Sequence, residues 1–488
     1  MLAIAVVIVS LFTNSGSLTK APLHDSDSVK RPGKARVVEH RSDSGRFLHI
    51  NRIFVIGNKI TRDQIILREL TLKPGDIVFS EDLNSILETD KKKVYNTRLF
   101  NTVGIKSLDL DNNEIDLLVD VTERWYTFPV PIFELSDRNF NEWWQNYNHD
   151  FNRVNYGVKL YQYNFRGRNE TILATAQFGF TRNFSLTYRL PYIDKKQKQG
   201  LVFTVDFKEN KNLAYKTTEH KLVFLEGKEL LQTSNGFGVT YNYRNSFYDT
   251  HSFKAEYRRT NIADTIAQLN PIYLLNENTR QEYIALHYGF TSDHRDVIAY
   301  PLRGRYLYAS ASQFGLGLQD DVSKTEISFN YARYFDLGNN YFFSNYSFAN
   351  WSTADNQPYN FFGGLGYSKK VIRGYEIYVI EGPYSFINKS TLKKRIFSRN
   401  YKVPNLFVDQ FSYIPLAIYV KTYADFGYVR NYSIYEQNDL NTRFSNQFLL
   451  GFGTGIDVVT SYDTVLRFEY SINHEGKGGF FFNVKKEF

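Results

Sequence analysis

The chain contains no cysteine, a single methionine and only 12 prolines in 488 residues. Without thiols there is no disulfide scaffold, no thiolate-ligated zinc, no iron–sulfur cluster and no cysteine nucleophile. Long hydrophobic runs are missing as well. No window approaches the roughly 18 consecutive apolar residues of a transmembrane helix, so a membrane-embedded form of this chain has to be a closed β-barrel. Charge of one sign is also scarce: 59 Lys and Arg against 51 Asp and Glu leave a net +8. The basic residues are spread along the whole chain and interleave with aromatics at the period of a strand, which argues against nucleic acid as a partner.

What is abundant is aromatic. With 37 Tyr and 41 Phe, aromatics reach 17% of the chain, yet the mean hydropathy is only −0.41. That combination fits strands with one apolar and one wet face. Leu2 to Phe12 form the one stretch resembling a targeting segment, long enough for a signal-peptide core and too short to span as a helix. Residues 1–20 are therefore expected to be a cleaved signal, and residues 21–46, rich in Ser, Lys, Arg and Asp, a flexible linker.

From residue 47 to 124 the pattern is mixed. His49 to Ile56 alternate and stop at Gly57-Asn58, a turn signal. Thr61 stands where an N-cap would, before Ile65, Ile66, Leu67 and Leu70 at helical spacing. Lys73-Pro74-Gly75-Asp76 breaks that helix, and Ser80-Glu81-Asp82 opens a second with the stripe Leu83, Ile86, Leu87 and Val94. Two strands near Val103 to Leu110 and Ile115 to Glu123 flank the turn Asp111-Asn112-Asn113. The expected order is β-α-α-β-β, a compact α+β domain.

Beyond Trp125 the helical period vanishes. Phe184, Leu186, Tyr188, Leu190 and Tyr192 share one face of a strand opposite Ser185, Thr187 and Arg189. Phe448, Leu450, Phe452, Ile456 and Val458 oppose Asp457, and Leu466, Phe468, Tyr470 and Ile472 oppose Arg467, Glu469 and Ser471. A soluble sandwich also alternates, but it needs only about 100 residues, whereas this pattern runs unbroken from 125 to 488. Tyr-rich segments such as Tyr161-Gln162-Tyr163, Tyr241-Asn242-Tyr243 and Tyr367 suit an interfacial girdle. About sixteen strands can be counted, an even number, as bacterial barrels have. The fold expected is a membrane all-β barrel of about sixteen antiparallel strands preceded by one α+β domain. A loop at 351–383, too long for a hairpin, is expected to fold inward.

Four motifs give this architecture a family. Phe54 to Asn58, Leu70 to Gly75, Leu99 to Val103 and Val121 to Arg124 resemble a POTRA domain, the polypeptide-transport-associated module. Asn164-Phe165-Arg166-Gly167-Arg168-Asn169 resembles the turn after the second barrel strand of the outer membrane protein 85 superfamily, which includes BamA, TamA and the FhaC-type secretion pores. Val371-Ile372-Arg373-Gly374-Tyr375 resembles that superfamily's signature on the sixth loop, and Tyr423-Ala424-Asp425-Phe426-Gly427 its partner motif on the thirteenth strand. The resemblance implies a lock of Arg373, Gly374 and Tyr375 on Asp425 and Gly427. Asp425 shares the polar set of its strand with Lys421 and Tyr423, so an Arg fork on this carboxylate inside the lumen would be charge-assisted. Where some relatives carry a further carboxylate, on the twelfth strand, this chain reads Lys389 to Arg395 and is basic, which leaves Glu376 and Glu381 as candidate replacements.

The resemblance further implies a POTRA unit marked by Gly57, Asn58, Gly75, Phe100, Val103 and Glu123. It also implies a barrel seam between a first strand near Trp125 and a last one carrying Phe480, Phe482 and Phe488, beside wall glycines Gly451, Gly453 and Gly455 that weaken neighbouring strands. The activity implied is assembly or insertion of outer-membrane proteins, with substrate strands accepted by β-augmentation on the POTRA hairpin. A single POTRA domain keeps two alternatives open, a secretion pore or passive channel plugged by loop 351–383, and a structural surface barrel. The expected partners are unfolded outer-membrane or secreted polypeptides, outer-membrane lipids and accessory lipoproteins, at an outer membrane with the POTRA domain in the periplasm. No catalytic site is found: Gly363-Gly364-Leu365-Gly366 lacks the helix of a phosphate-binding loop, so neither an enzyme nor a cofactor is expected. His287 and His294, near Asp293 and Asp296, read as a polar turn instead of a metal site.

Overall fold

The computed structural model describes residues 46–135, 143–144, 148–227, 229–318, 320–353, 356–367, 370–402 and 413–486. The expected signal and linker up to residue 45, and Phe488 at the seam, lie outside them.

The α+β unit starts with β1 (Phe47–Ile56), followed by α1 (Asp63–Leu67), β2 (Ile77–Phe79), α2 (Ser80–Asn96), β3 (Phe100–Asp109) and β4 (Glu114–Glu123). Its sheet order is β2-β1-β4-β3, with β1 parallel to β4. The sequence pattern had no place for β2, because three residues carry no readable period; they are held by pairing with Phe47, Leu48 and His49. β1 stops at Gly57, whose φ of +89 only glycine adopts easily, and where a Cβ would lie 1.9 Å from the Val121 carbonyl oxygen. The helices cover one sheet face: Ile65, Ile66, Leu70, Val94, Phe100, Val103, Val119 and Val121 form one core cluster.

Thr61 does not cap α1. The N-cap is Arg62, with no side-chain bond, and the Thr61 hydroxyl instead donates to Glu123 at 2.6 Å. The same carboxylate accepts the Ile60 and Thr61 amides, so Glu123 ties the loop after β1 to the end of β4.

Residues 127–486 form a sixteen-stranded antiparallel sheet whose strands pair in chain order, from Thr127–Leu135 to Gly478–Lys486. Among the described residues no helix is long and apolar enough to cross a membrane. Alternation sorts the strands into two solvents: Phe448, Leu450, Phe452 and Ile456 are exposed on the outer wall, while Asp457, Glu469 and Ser471 are buried inside. The outer apolar face is interrupted where Asn345, Ser347, Asn388 and Ser390 face outward and bond one another at 2.8–3.2 Å, so both side-chain amides of the interruption find acceptors.

The sheet curls until Phe128 of the first strand meets Tyr462, in the turn before the fifteenth, with ring centroids 5.5 Å apart. Yet among the described residues no ladder joins the first strand to the last. The first strand begins at Thr127; Trp125, expected at its start, belongs to the connector from β4. Phe480 and Phe482 point outward, opposite Tyr470 and Phe468.

The α+β unit is bolted to the near-end turns of the barrel. Asn164 donates to the Thr61 hydroxyl at 2.8 Å, and the Gly167 carbonyl accepts the Arg62 amide at 3.0 Å. A Cβ on Gly167 would lie 2.1 Å from the Ile60 carbonyl, so the Asn164 to Asn169 turn serves as the seat of the first unit. Farther round the rim, Arg244 grips Glu69 with two bonds of 2.8 and 2.9 Å, the Arg68 guanidinium stacks on Tyr192, and Arg124 pairs with Asp463 at 3.1 Å.

Candidate functional site

Loop 353–383, between the eleventh and twelfth barrel strands, folds into the lumen, where its residues Leu365, Ile372, Tyr375, Tyr378 and Ile380 pack with Phe348, Ile387, Val429 and Leu449 of the wall. Tyr367 is part of this loop and donates to Glu381, so it does not belong to a girdle. The apolar stripe of the loop explains why it enters: those side chains leave water, at about 1.5–3 kcal/mol per large residue.

At its innermost turn the loop meets the thirteenth strand, Tyr413–Arg430. Asp425, whose side chain is 0% exposed, accepts Arg373 Nε at 2.8 Å, the Arg373 amide at 3.1 Å and a further bond from Nη2. Nη2 also reaches Thr391 Oγ1 at 3.2 Å, and the guanidinium lies 3.7 Å over the Tyr423 ring. Arg373 is thus held by a forked carboxylate on its edge and by a π-face.

The second acid comes from neither Glu376 nor Glu381. Glu469 on the fifteenth strand stands 3.7 Å from Arg373 Nη1 and 2.8 Å from Lys421 Nζ, and Lys421 in turn pairs with Asp457, which accepts the Tyr300 hydroxyl at 2.8 Å. Glu376 turns back to accept the Gly374 amide at 2.7 Å. Glu381 lies higher in the loop and accepts Tyr435 at 2.7 Å. The basic twelfth strand is compatible with this arrangement because Lys389 is the cross-strand partner of Asp425 and adds positive charge beside it.

The glycines of the site make room for these contacts. At Gly427 a Cβ would lie 2.4 Å from Ile372 Cδ1, and at Gly451 one would lie 1.8 Å from the Arg373 carbonyl oxygen. Gly374 has φ +96 and rests against the Ile472–Asn473 backbone. Gly453 and Gly455 admit the Tyr423 ring and the Lys421 chain, which gives these wall glycines a packing role. Tyr375, 2% exposed, bonds His474 and packs edge-on against Phe444.

One feature had no strong signal in the sequence. A hairpin, Asn212–Thr218 with Lys221–Glu226, projects from the far end and turns at His220, which is fully buried. The His220 carbonyl accepts the Val379 amide at 2.8 Å, its amide donates to Asn441 at 2.9 Å, and Nε2 accepts the Phe444 amide at 3.0 Å. Three loops therefore meet over the lumen, and burial pushes the His220 imidazole down to about 4. At the near end, as expected of the POTRA hairpin, β3 pairs among the described residues only with β4 and leaves a ten-residue edge with Lys106 to Asp109 exposed. Of the remaining expected POTRA residues, Phe100 and Val103 are core, Gly75 turns at φ +90, and Asn58 braces the turn by donating to the Thr61 carbonyl at 2.8 Å. In the polar turn, Arg295 pairs with Asp293 and His294 stacks on Tyr248, while His287 bonds Ser312.

Family comparison agrees with this geometry. The Omp85 superfamily domain matches residues 164–488, and the POTRA family described as surface antigen variable number repeat matches residues 48–124. Among solved structures, the fold is similar to BamA from Haemophilus ducreyi lacking POTRA domains 1–3, at TM-score 0.51 and 15% identity over 90% of this chain and 84% of that one. It is similar also to CdiB from Escherichia coli, at TM-score 0.53 and 11% identity over 90% and 76%. No protein with a curated description matches the chain.

Proposed function

The chain belongs to the Omp85 superfamily, and from that premise we propose that it inserts β-barrel polypeptides into a bacterial outer membrane, with its POTRA domain in the periplasm. The observation that carries the reading is that, among the described residues, no ladder joins the first and last barrel strands. An incoming strand can add to either edge without first breaking wall hydrogen bonds, so the exchange of pairing proceeds at little enthalpic cost. The free edge of β3 supplies a place to collect an extended segment beforehand by β-augmentation. Such work is strand exchange and calls for no covalent chemistry. Arg373, clamped by Asp425 with Glu469 beside it, keeps the loop fixed to the thirteenth to fifteenth strands, on the last-strand side of the seam, while pairing changes.

A second reading, a secretion pore, is favoured by the loop that fills the lumen and by the capped far end. Depleting the protein in its host separates the two. Loss of many folded outer-membrane proteins is expected for an insertion factor, whereas loss of one exported protein with the rest intact would replace insertion by secretion. Because the chain has no cysteine, a single Phe133→Cys on the first strand gives a clean disulfide probe. It should trap a stalled substrate carrying a cysteine in its terminal strand, and failure to trap any such substrate would count against a lateral seam.

A further inference from the structure

Where the α+β unit meets the barrel rim there is a cavity of about 810 Å³, remote from the lumen. Six cations line it: Arg62, Arg68 and Lys73 from the POTRA side, and Arg168, Lys195 and Lys196 from two near-end turns of the barrel. The one carboxylate in its wall, Asp194, is spent within its own turn, accepting the Lys198 and Gln199 amides at 2.9 and 2.8 Å. Arg68 pairs with Glu69 and stacks on Tyr192, yet its buried Nη1 has no hydrogen-bond partner; Gln197 Oε1, also buried in this wall, has none either. A site with clustered positive charge, one stranded donor and one stranded acceptor is incomplete by itself.

The position says what completes it. The outward stripe of the fourth barrel strand, Phe184, Leu186, Tyr188 and Leu190, runs on to Tyr192 at the edge of the cavity, and Ile193 beside it is 49% exposed. An acyl chain lying along that stripe ends at the cavity, at the depth where headgroups of the periplasmic leaflet sit. Resting on the membrane placement proposed above, we infer that this cavity binds the headgroup of an anionic glycerophospholipid. The phosphodiester sits among the cations, its charge partly neutralised by Arg68 Nη1, and a headgroup hydroxyl donates to Gln197 Oε1, the pattern a phosphatidylglycerol offers. Because half of the cations come from each body, the bound lipid bridges POTRA and barrel and stabilises their docked arrangement, by the linkage that any ligand selective for one arrangement exerts.

The test is native mass spectrometry of the full chain in a neutral detergent, titrated with phosphatidylglycerol, phosphatidylcholine or inorganic phosphate. One phosphatidylglycerol should be retained in preference to phosphatidylcholine. Lys195→Ala with Lys196→Ala should weaken that retention by about thirtyfold, the effect of removing two cations near a headgroup. Lys195→Arg with Lys196→Arg should keep it, and Arg62→Gln, from the POTRA side, should weaken it independently. Equal retention of the two lipids, or unchanged binding in the alanine pair, overturns the proposal. So does displacement by inorganic phosphate at equal concentration, which would mark a site for small soluble anions. Failure of the membrane reading is distinguishable: the chain would then stay monodisperse without detergent and show no heat-dependent gel mobility, whatever lipid it retains.

Discussion

Replacing Arg373 by alanine removes two of the three bonds that Asp425 accepts from that residue and leaves only the backbone amide at 3.1 Å. The Asp425 side chain is 0% exposed, so water cannot take over. Breaking one side of a buried ion pair costs about 3–5 kcal/mol. Lys389, directly across the ladder from Asp425, supplies some compensation, so the lower end, about 3 kcal/mol, is expected. Glu469 is farther from the guanidinium, and its nearer partner Lys421 keeps Asp457, so Glu469→Gln should cost less than that, about 2 kcal/mol. Urea unfolding in detergent micelles, followed by heat-dependent gel mobility, measures both. A double-mutant cycle with Asp425→Ala should return a coupling of roughly 2 kcal/mol. Strictly additive effects would refute the clamp, as would an Arg373→Lys variant of parental stability, because Lys cannot offer the fork.

Three further outcomes follow from other contacts. Gly451→Val should expel the loop, since even the first carbon added would lie 1.8 Å from the Arg373 carbonyl; limited proteolysis should then cut within 353–383 while the barrel keeps its heat-shifted mobility. Arg244→Ala removes the fork on Glu69, and amide exchange in α1 should accelerate by about thirtyfold, the equivalent of about 2 kcal/mol; exchange at the parental rate would mean the docking rests elsewhere. The His220 ring is held neutral, with its pKa lowered to about 4 by burial. Its contribution to stability is therefore complete above the ordinary histidine value of about 6.5 and is lost as pH falls through about 4, on the order of 2 kcal/mol at pH 5. The far-end loops should open in that window, seen as faster exchange of the Val379 and Phe444 amides, and a His220→Gln variant should not show the same pH dependence.

The barrel was legible because its strands divide two solvents: Phe448, Leu450 and Phe452 against Asp457 is a pattern that lipid and water each enforce. The Arg373–Asp425 contact was legible through motifs, although the spacing between the two residues says nothing about their meeting. Glu469 was not, because its approach depends on strand order around the wall, and a lone Glu among Arg467 and Ser471 reads as any lumen-facing position. Thr61 looked like a cap since local sequence cannot reveal a carboxylate 62 residues away in Glu123. The short β2, too brief for any period, and the hairpin around His220, whose buried tip is stabilised by loops far along the chain, were invisible for the same reason: tertiary partners create them.

The bonds around His220 bear on the route open to a polypeptide under the proposed function. A polypeptide in the lumen that headed for the far mouth would have to part the hairpin from Val379, Asn441 and Phe444, three hydrogen bonds at 2.8–3.0 Å in a dry setting. Sideways, between Thr127–Leu135 and Gly478–Lys486, it meets no ladder to undo among the described residues. Among the described residues the cylinder is thus fastened across its far mouth and not across its side, which is the asymmetry that the proposed lateral route would use.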